Sequence, residues 1–143
     1  MTNKEFRVKE YLERARVLNT AIETYRMRLE EERLIIPRST SIIKFTKVKG
    51  AKRNTDEERL MRYLERAEKI EKKIDALEKE KEQISETIEM VKDIKLKTVL
   101  IKRYLLSMSW EEVAKQMHYD RRWVTELHLR AIKELVKLNV IHP

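Results

Sequence analysis

Ser109-Trp110-Glu111-Glu112-Val113-Ala114-Lys115-Gln116-Met117-His118-Tyr119-Asp120-Arg121-Arg122-Trp123-Val124-Thr125-Glu126-Leu127-His128 is the stretch on which the reading of this chain turns. Ser109 and Glu112 stand at capping-box spacing: a hydroxyl, then a carboxylate three residues later, each able to satisfy an orphan amide at a helix start. That first helix breaks at His118-Tyr119. Asp120 is a good N-cap for a second helix, because its short carboxylate can accept from the amides of the first turn. In the second helix Val124, Leu127, Ala131, Ile132 and Leu135 recur at helical spacing and keep one face apolar. The opposite face opens with Arg121 and Arg122 and continues with Thr125, Glu126 and Arg130. A capped short helix, a tight break and a second capped helix predict a helix-turn-helix over residues 105–135.

An ordinary helical hairpin with solvated arginines would show the same caps and the same apolar stripe. What favours a major-groove reader is the cluster of polar side chains in the first two turns of the second helix. Arginine suits the two acceptors of guanine, and glutamate suits the amino group of cytosine.

The run from Ser109 to Leu135 resembles, without a gap, the fourth region of bacterial sigma factors, which reads the promoter −35 element. The matching frame is Glu111-Glu112-Val113, the small Ala114, Arg121 opening the second helix, then Ala131 and Leu135. Arg103-Tyr104-Leu105, Trp110-Glu111-Glu112-Val113-Ala114, Met117-His118-Tyr119 and Leu127-His128-Leu129-Arg130-Ala131 are similar to phage-encoded sigma-like regulators of the ArpU type. Those are late-gene transcriptional regulators of phages that infect Gram-positive bacteria. The family usually carries glycine where this chain has His118, and histidine reaches the left-handed conformation only at some cost. The likeness is strong over residues 95–138 and weak over the rest.

The resemblance implies residue roles. Arg122 and Glu126 fall where sigma factors read bases, with Arg121 and Thr125 beside them near the backbone. Lys115 and Arg130 are expected to add DNA contacts. Ile94 to Leu106 corresponds to a support helix that packs on the helix-turn-helix. Lys102 and Arg103 near its C-terminus suit the helix dipole and are expected to reach phosphate. Trp110 is expected in the three-helix core and Trp123 at its edge. The implied partners are double-stranded DNA at a promoter-like site and host RNA polymerase. Nothing resembles the second sigma region, so this chain alone should not open a promoter.

Charge is unevenly placed. The chain carries a net +8 over 143 residues. Residues 33–55 hold seven basic residues (Arg33, Arg38, Lys44, Lys47, Lys49, Lys52 and Arg53) and no acid, whereas residues 1–32 balance. Residues 93–143 hold ten basic and six acidic residues. A basic cluster of this kind gives sequence-independent affinity for phosphate through counterion release. The plain alternative for residues 33–55 is a solvated loop.

Two seams precede the helix-turn-helix. Val8, Tyr11, Ala15, Leu18, Ile22, Tyr25 and Leu29 keep a 3–4 spacing, which predicts a coiled-coil helix over about residues 3–34. It ends near Leu34-Ile35-Ile36-Pro37, since proline cannot continue a helix. Leu60, Tyr63, Ala67, Ile70, Ile74, Leu77, Lys81, Ile84, Ile88 and Val91 form a second seam over about 56–92, interrupted only by Lys81. Thr55 before Asp56-Glu57-Glu58 reads as its N-cap. At 1.5 Å per residue these helices would be about 45 Å and about 55 Å long. They pair either within one chain, as an antiparallel hairpin, or between chains, as a homodimer. The connector is long for a compact domain, and Ile42 to Val48 alternates enough for a short strand or ordered arm.

The expectation is therefore an all-α chain: a coiled-coil hairpin over residues 1–92 with a basic connector at 35–55, then a three-helix helix-turn-helix domain over 93–143. Composition agrees, with 41% charged residues and a single glycine in the manner of long-helix proteins. The absence of cysteine excludes disulfides and thiolate metal sites. No apolar run approaches the roughly 20 residues of a membrane span, and the N-terminus lacks the apolar core of a secretion signal. A soluble chain in the bacterial host cytoplasm is expected. His118, His128 and His142 stand without thiols, metal-site spacing or a phosphate loop, so no enzyme, cofactor or metal is expected. The functional expectation is a sequence-specific DNA-binding regulator of transcription. The alternatives are a DNA-recognition subunit of a genome-packaging machine, of the small-terminase kind, and a coiled-coil adaptor.

Overall fold

The computed structural model describes residues 1–34 and 55–140, and every regular element among them is helical. Helix α1 (Asn3–Leu34) starts on a capping box that pattern reading missed: Glu5 N–H donates to Thr2 Oγ1 at 3.2 Å and Thr2 N–H to the Glu5 carboxylate at 3.3 Å. Helix α2 (Thr55–Glu89) carries Asp56, Glu57 and Glu58 in its first turn, where the helix dipole favours acids. It ends earlier than expected, in a tightened turn where Met90 N–H reaches Thr87 O and Val91 N–H reaches Ile88 O. Asp93 then caps α3 (Ile94–Leu100), accepting from the amides of Lys95 and Leu96. The support helix runs on as a π-helical turn (Ile101–Leu105) before α4 (Trp110–Met117) and α5 (Arg121–Lys137). No helix among the described residues is long and apolar enough to cross a membrane.

Packing groups the helices into two compact units. One compact unit combines Met1–Ala21 with Glu78–Pro143, and the other is Ile22–Leu77. Asn19 of α1 donates to the carbonyls of Tyr104 and Leu105 at the end of the support helix, so the N-terminal part of α1 belongs with the helix-turn-helix.

Within the first unit α1 and the end of α2 run antiparallel. Tyr11 and Thr87 share a hydroxyl hydrogen bond of 3.3 Å, and Arg14 pairs with Glu80 at 2.6 Å. Val8, Leu12, Ala15 and Leu18 are buried on α1, and Ile84, Ile88 and Val91 on the α2 side. Leu12, fully buried, was not on the seam, and Tyr11, which was, is only half-buried. Leu12 lies on the side of α1 that carries Asn19 seven residues on, so the buried face is wider than a coiled-coil stripe. Each such leucine or isoleucine contributes about 1.5–3 kcal/mol by leaving water.

Within the second unit Ile22, Ile70 and Ile74 form a cluster, flanked by Tyr25, Leu29 and Leu77. Arg66 pairs with Glu32 at 2.9 Å, again the antiparallel arrangement. The two seams thus pair inside one chain, as the hairpin reading required. Residues 35–54, with the expected strand at Ile42 to Val48 and the lysines at 44, 47, 49 and 52, lie outside the described residues.

Candidate nucleic-acid interface

Local chemistry sets the helix-turn-helix geometry. Glu112 N–H donates to Ser109 Oγ at 3.2 Å and Ser109 N–H to Glu112 Oε1 at 3.4 Å, so the capping box at the start of α4 is formed on both sides. At its end His118 takes φ 59° and ψ 39°, the left-handed region. Tyr119 N–H reaches back to Ala114 O at 3.0 Å and His118 N–H to Lys115 O at 3.3 Å, which is a Schellman ending. Histidine has taken the glycine role at this turn. Asp120 then caps α5, accepting from Trp123 N–H at 2.7 Å.

Underneath, Val99, Val113, Ala114, Val124 and Leu127 form one buried cluster, with Leu96, Met108, Trp110, Met117 and Tyr119 packed against it. This core holds α5 by its inner face, on which Val124, Leu127, His128, Ala131, Ile132 and Leu135 are buried. Trp110 takes the expected core place, edge-on to His128 at 4.7 Å. Tyr104 and His128 share a buried hydrogen bond of 2.5 Å. Burial pulls His128 down to about 4, with Lys9 and Arg103 adding repulsion, and burial pushes the Tyr104 phenol up. The pair is neutral at neutral pH, as a dry core favours.

The outer face of α5 is open. Arg121, Arg122, Trp123, Thr125 and Glu126 are exposed and line a recess with Asp120. By helical periodicity Arg122 and Glu126 point most directly away from the core, while Arg121 and Thr125 lie on one flank and Trp123 and Arg130 on the other. Arg122 makes no hydrogen bond or ion pair with the described residues. Arg121 pairs with Glu111 across the turn at 2.8 Å, and both are so exposed that the pair is weak and exchangeable for phosphate. The Thr125 hydroxyl donates to Arg121 O at 3.0 Å. Trp123, expected at the core edge, is 36% exposed, because Val124 takes the inward position one residue on. The Arg130 guanidinium stands 5.0 Å from its ring centre.

The expected backbone contacts fare unequally. Lys115 on α4 is exposed. Lys102 donates to Gln116 Oε1 at 2.7 Å, a surface bond that ties the π turn to α4. Arg103 has a structural role: it donates to Met108 O at 3.0 Å and lies 4.5 Å over the Trp110 ring. Burial, then the neighbouring Arg16, pulls its pKa below the ordinary guanidinium value. Its side chain is held against the domain rather than extended toward a ligand. Lys44, Lys47 and Lys49 lie outside the described residues. Lys133 was missed: it is exposed, seven residues beyond Glu126 and eleven beyond Arg122, and the helical period alone would have found it on the outward line. Among the described residues no group of His, Asp and Glu could hold a metal ion.

Comparison of the chain with protein-family models, curated proteins and solved structures finds no match to any of them.

Proposed function

We propose that this chain is a sequence-specific DNA-binding regulator of transcription that reads the major groove with α5, as a sigma-like late-gene activator of the phage ArpU type. The observation that carries this reading is the outer face of α5: Arg122 and Glu126 stand one turn apart, clear of the core and opposite Val124, Leu127 and Ala131. The four residues from Arg122 to Glu126 advance about 6 Å along the helix, close to two base-pair steps at about 3.4 Å each. Two reading positions about two base-pair steps apart fit that spacing. The caps at Ser109 and Asp120 and the left-handed turn at His118 make the presentation rigid, which base reading needs. Arg121, which pairs with Glu111, and Lys115 are exposed near the helix that precedes α5, where phosphate would be met, and Lys133 continues the outward line of Arg122 and Glu126.

A binding competition across a randomised duplex tests the reading. Arg122→Ala should cost about 1–3 kcal/mol on the selected site and relax preference at one base pair. Arg121→Ala or Lys115→Ala should weaken binding to all sequences without changing which one wins. If Arg122→Ala and Glu126→Ala leave the selected sequence untouched, α5 is not the reader. Solution mass separates the packaging alternative: a monomer or dimer supports the regulator, and a closed ring of roughly eight or more copies supports a terminase-like subunit.

A further inference from the structure

Arg130 sits between a carboxylate and an indole. Its Nε lies 3.3 Å from Glu126 Oε1, and its guanidinium lies 5.0 Å from the centre of the Trp123 ring. The three residues follow one line of α5 at i, i+3 and i+7. Glu126 and Arg130 keep about half their side-chain surface in water, at 48% and 54%, and the indole faces the recess that Arg121, Arg122 and Thr125 also line. Glu126 Oε2 has no partner among the described residues.

This cluster answers an electrostatic difficulty. A bare carboxylate entering a groove between two rows of phosphates is repelled by them and must also shed water. A cation fixed beside it removes most of that repulsion while leaving one oxygen free to accept a hydrogen bond. The indole face restrains the guanidinium, since a cation over tryptophan is held by the ring quadrupole. Resting on the reading of α5 as the recognition helix, we propose that Arg130 is the fixed counterion of Glu126, braced by Trp123, and that this brace makes Glu126 the acceptor for an exocyclic base amino group. Arg130 is then a positioning residue, and Glu126 Oε2 is the atom that meets cytosine N4 or adenine N6.

The test is a double-mutant cycle on the full chain, measured as affinity for its selected duplex and for duplexes changed at each base pair. Arg130→Ala should lower affinity for the selected site about tenfold, the lower part of the range for one base contact, with the loss concentrated at the base pair that Glu126→Ala also relaxes. Glu126→Gln removes the charge and keeps an acceptor. It should recover most of the Arg130→Ala loss, and raise affinity far more in that background than in the unaltered chain. Trp123→Ala should reproduce part of the Arg130→Ala effect at the same base pair, and Trp123→Phe should restore it. The side chains are exposed, and thermal unfolding of each variant controls for loss of fold.

Two results overturn the inference while the reading of α5 stands. One is that the Arg130 and Glu126 changes simply add. The other is that Arg130→Ala weakens every duplex alike and lowers the salt slope by about one, the behaviour of a phosphate contact. An unaltered chain that binds all duplexes equally overturns both the inference and the reading beneath it.

Discussion

The side-chain amide of Asn19 donates to the backbone carbonyl of Leu105 at 3.0 Å, joining α1 to the end of the support helix across 86 residues of chain. The same nitrogen reaches Tyr104 O at 3.3 Å and Ser107 Oγ at 2.6 Å. The last carbonyls of a helix have no partner within it, and Ser107, at φ 56°, turns the chain away there. Asn19 supplies the missing donor. The end of the support helix is therefore fastened to α1 by a polar contact.

Replacing Asn19 with leucine, which keeps the volume and loses the donor, should destabilise the chain by about 1–3 kcal/mol, since half-buried carbonyls are left without partners. Urea unfolding should show a lower midpoint with an unchanged slope. An unchanged midpoint would mean that this contact does not fasten the unit.

The buried Tyr104–His128 pair predicts a pH dependence of stability. His128 is held at about 4 in the folded chain, against an ordinary value of 6.5. Above 6.5 the imidazole is neutral in both states. Between 6.5 and about 4 the unfolded chain takes up a proton that the folded chain refuses, so stability falls as pH falls. The loss amounts to about 3 kcal/mol at most and is complete below about 4. Carboxylates titrate near the bottom of this window, so the comparison is with His128→Gln, which cannot titrate. The unaltered chain should lose more stability than the variant between pH 6.5 and 4. Parallel curves would show that His128 takes up its proton at the same pH in the folded and the unfolded chain.

His118→Gly should stabilise the chain by about 0.5–1 kcal/mol. Glycine adopts the left-handed turn without the Cβ clash that histidine suffers, and the gain exceeds the entropy that glycine loses on folding. His118→Val should do the opposite, because a branched Cβ fits that region worst. The check is the thermal midpoint of the three proteins. A glycine variant less stable than the original would mean that the His118 ring makes a contact worth more than the turn.

The basic connector is tested through salt. Neutralising Lys44, Lys47, Lys49 and Lys52 together should weaken binding to all duplexes alike and flatten the dependence of affinity on salt. Arg103→Ala should instead lower thermal stability and leave the salt slope unchanged, because its guanidinium is occupied by Met108 O and the Trp110 ring. Equal slopes for the connector variant and the original would make residues 38–53 a solvated loop.

What was legible in advance is what acts over a turn or two of helix. Ser109 with Glu112, Asp120 before Arg121, the break at His118 and the apolar period of α5 are contacts between residues at most five apart, so residue type and spacing carry their signal. The hairpin was legible for a related reason: a stripe of apolar residues repeated over many turns has to be covered, and two such stripes cover each other. The rest depends on which surfaces meet. Nothing in the neighbourhood of Asn19 announces carbonyls from 85 and 86 residues away. Leu12 displaced Tyr11 from the fully buried positions because α1 is covered on two sides, which a single-stripe pattern cannot express. Arg103, expected to extend toward phosphate, is drawn in against Trp110, and Trp123 borders the outer face of α5, because side-chain reach and the direction of one helix position decide such placements. Local hydrogen bonds and periodicity are written into neighbouring residues, whereas long-range polar contacts and the width of a buried face arise only when distant segments pack.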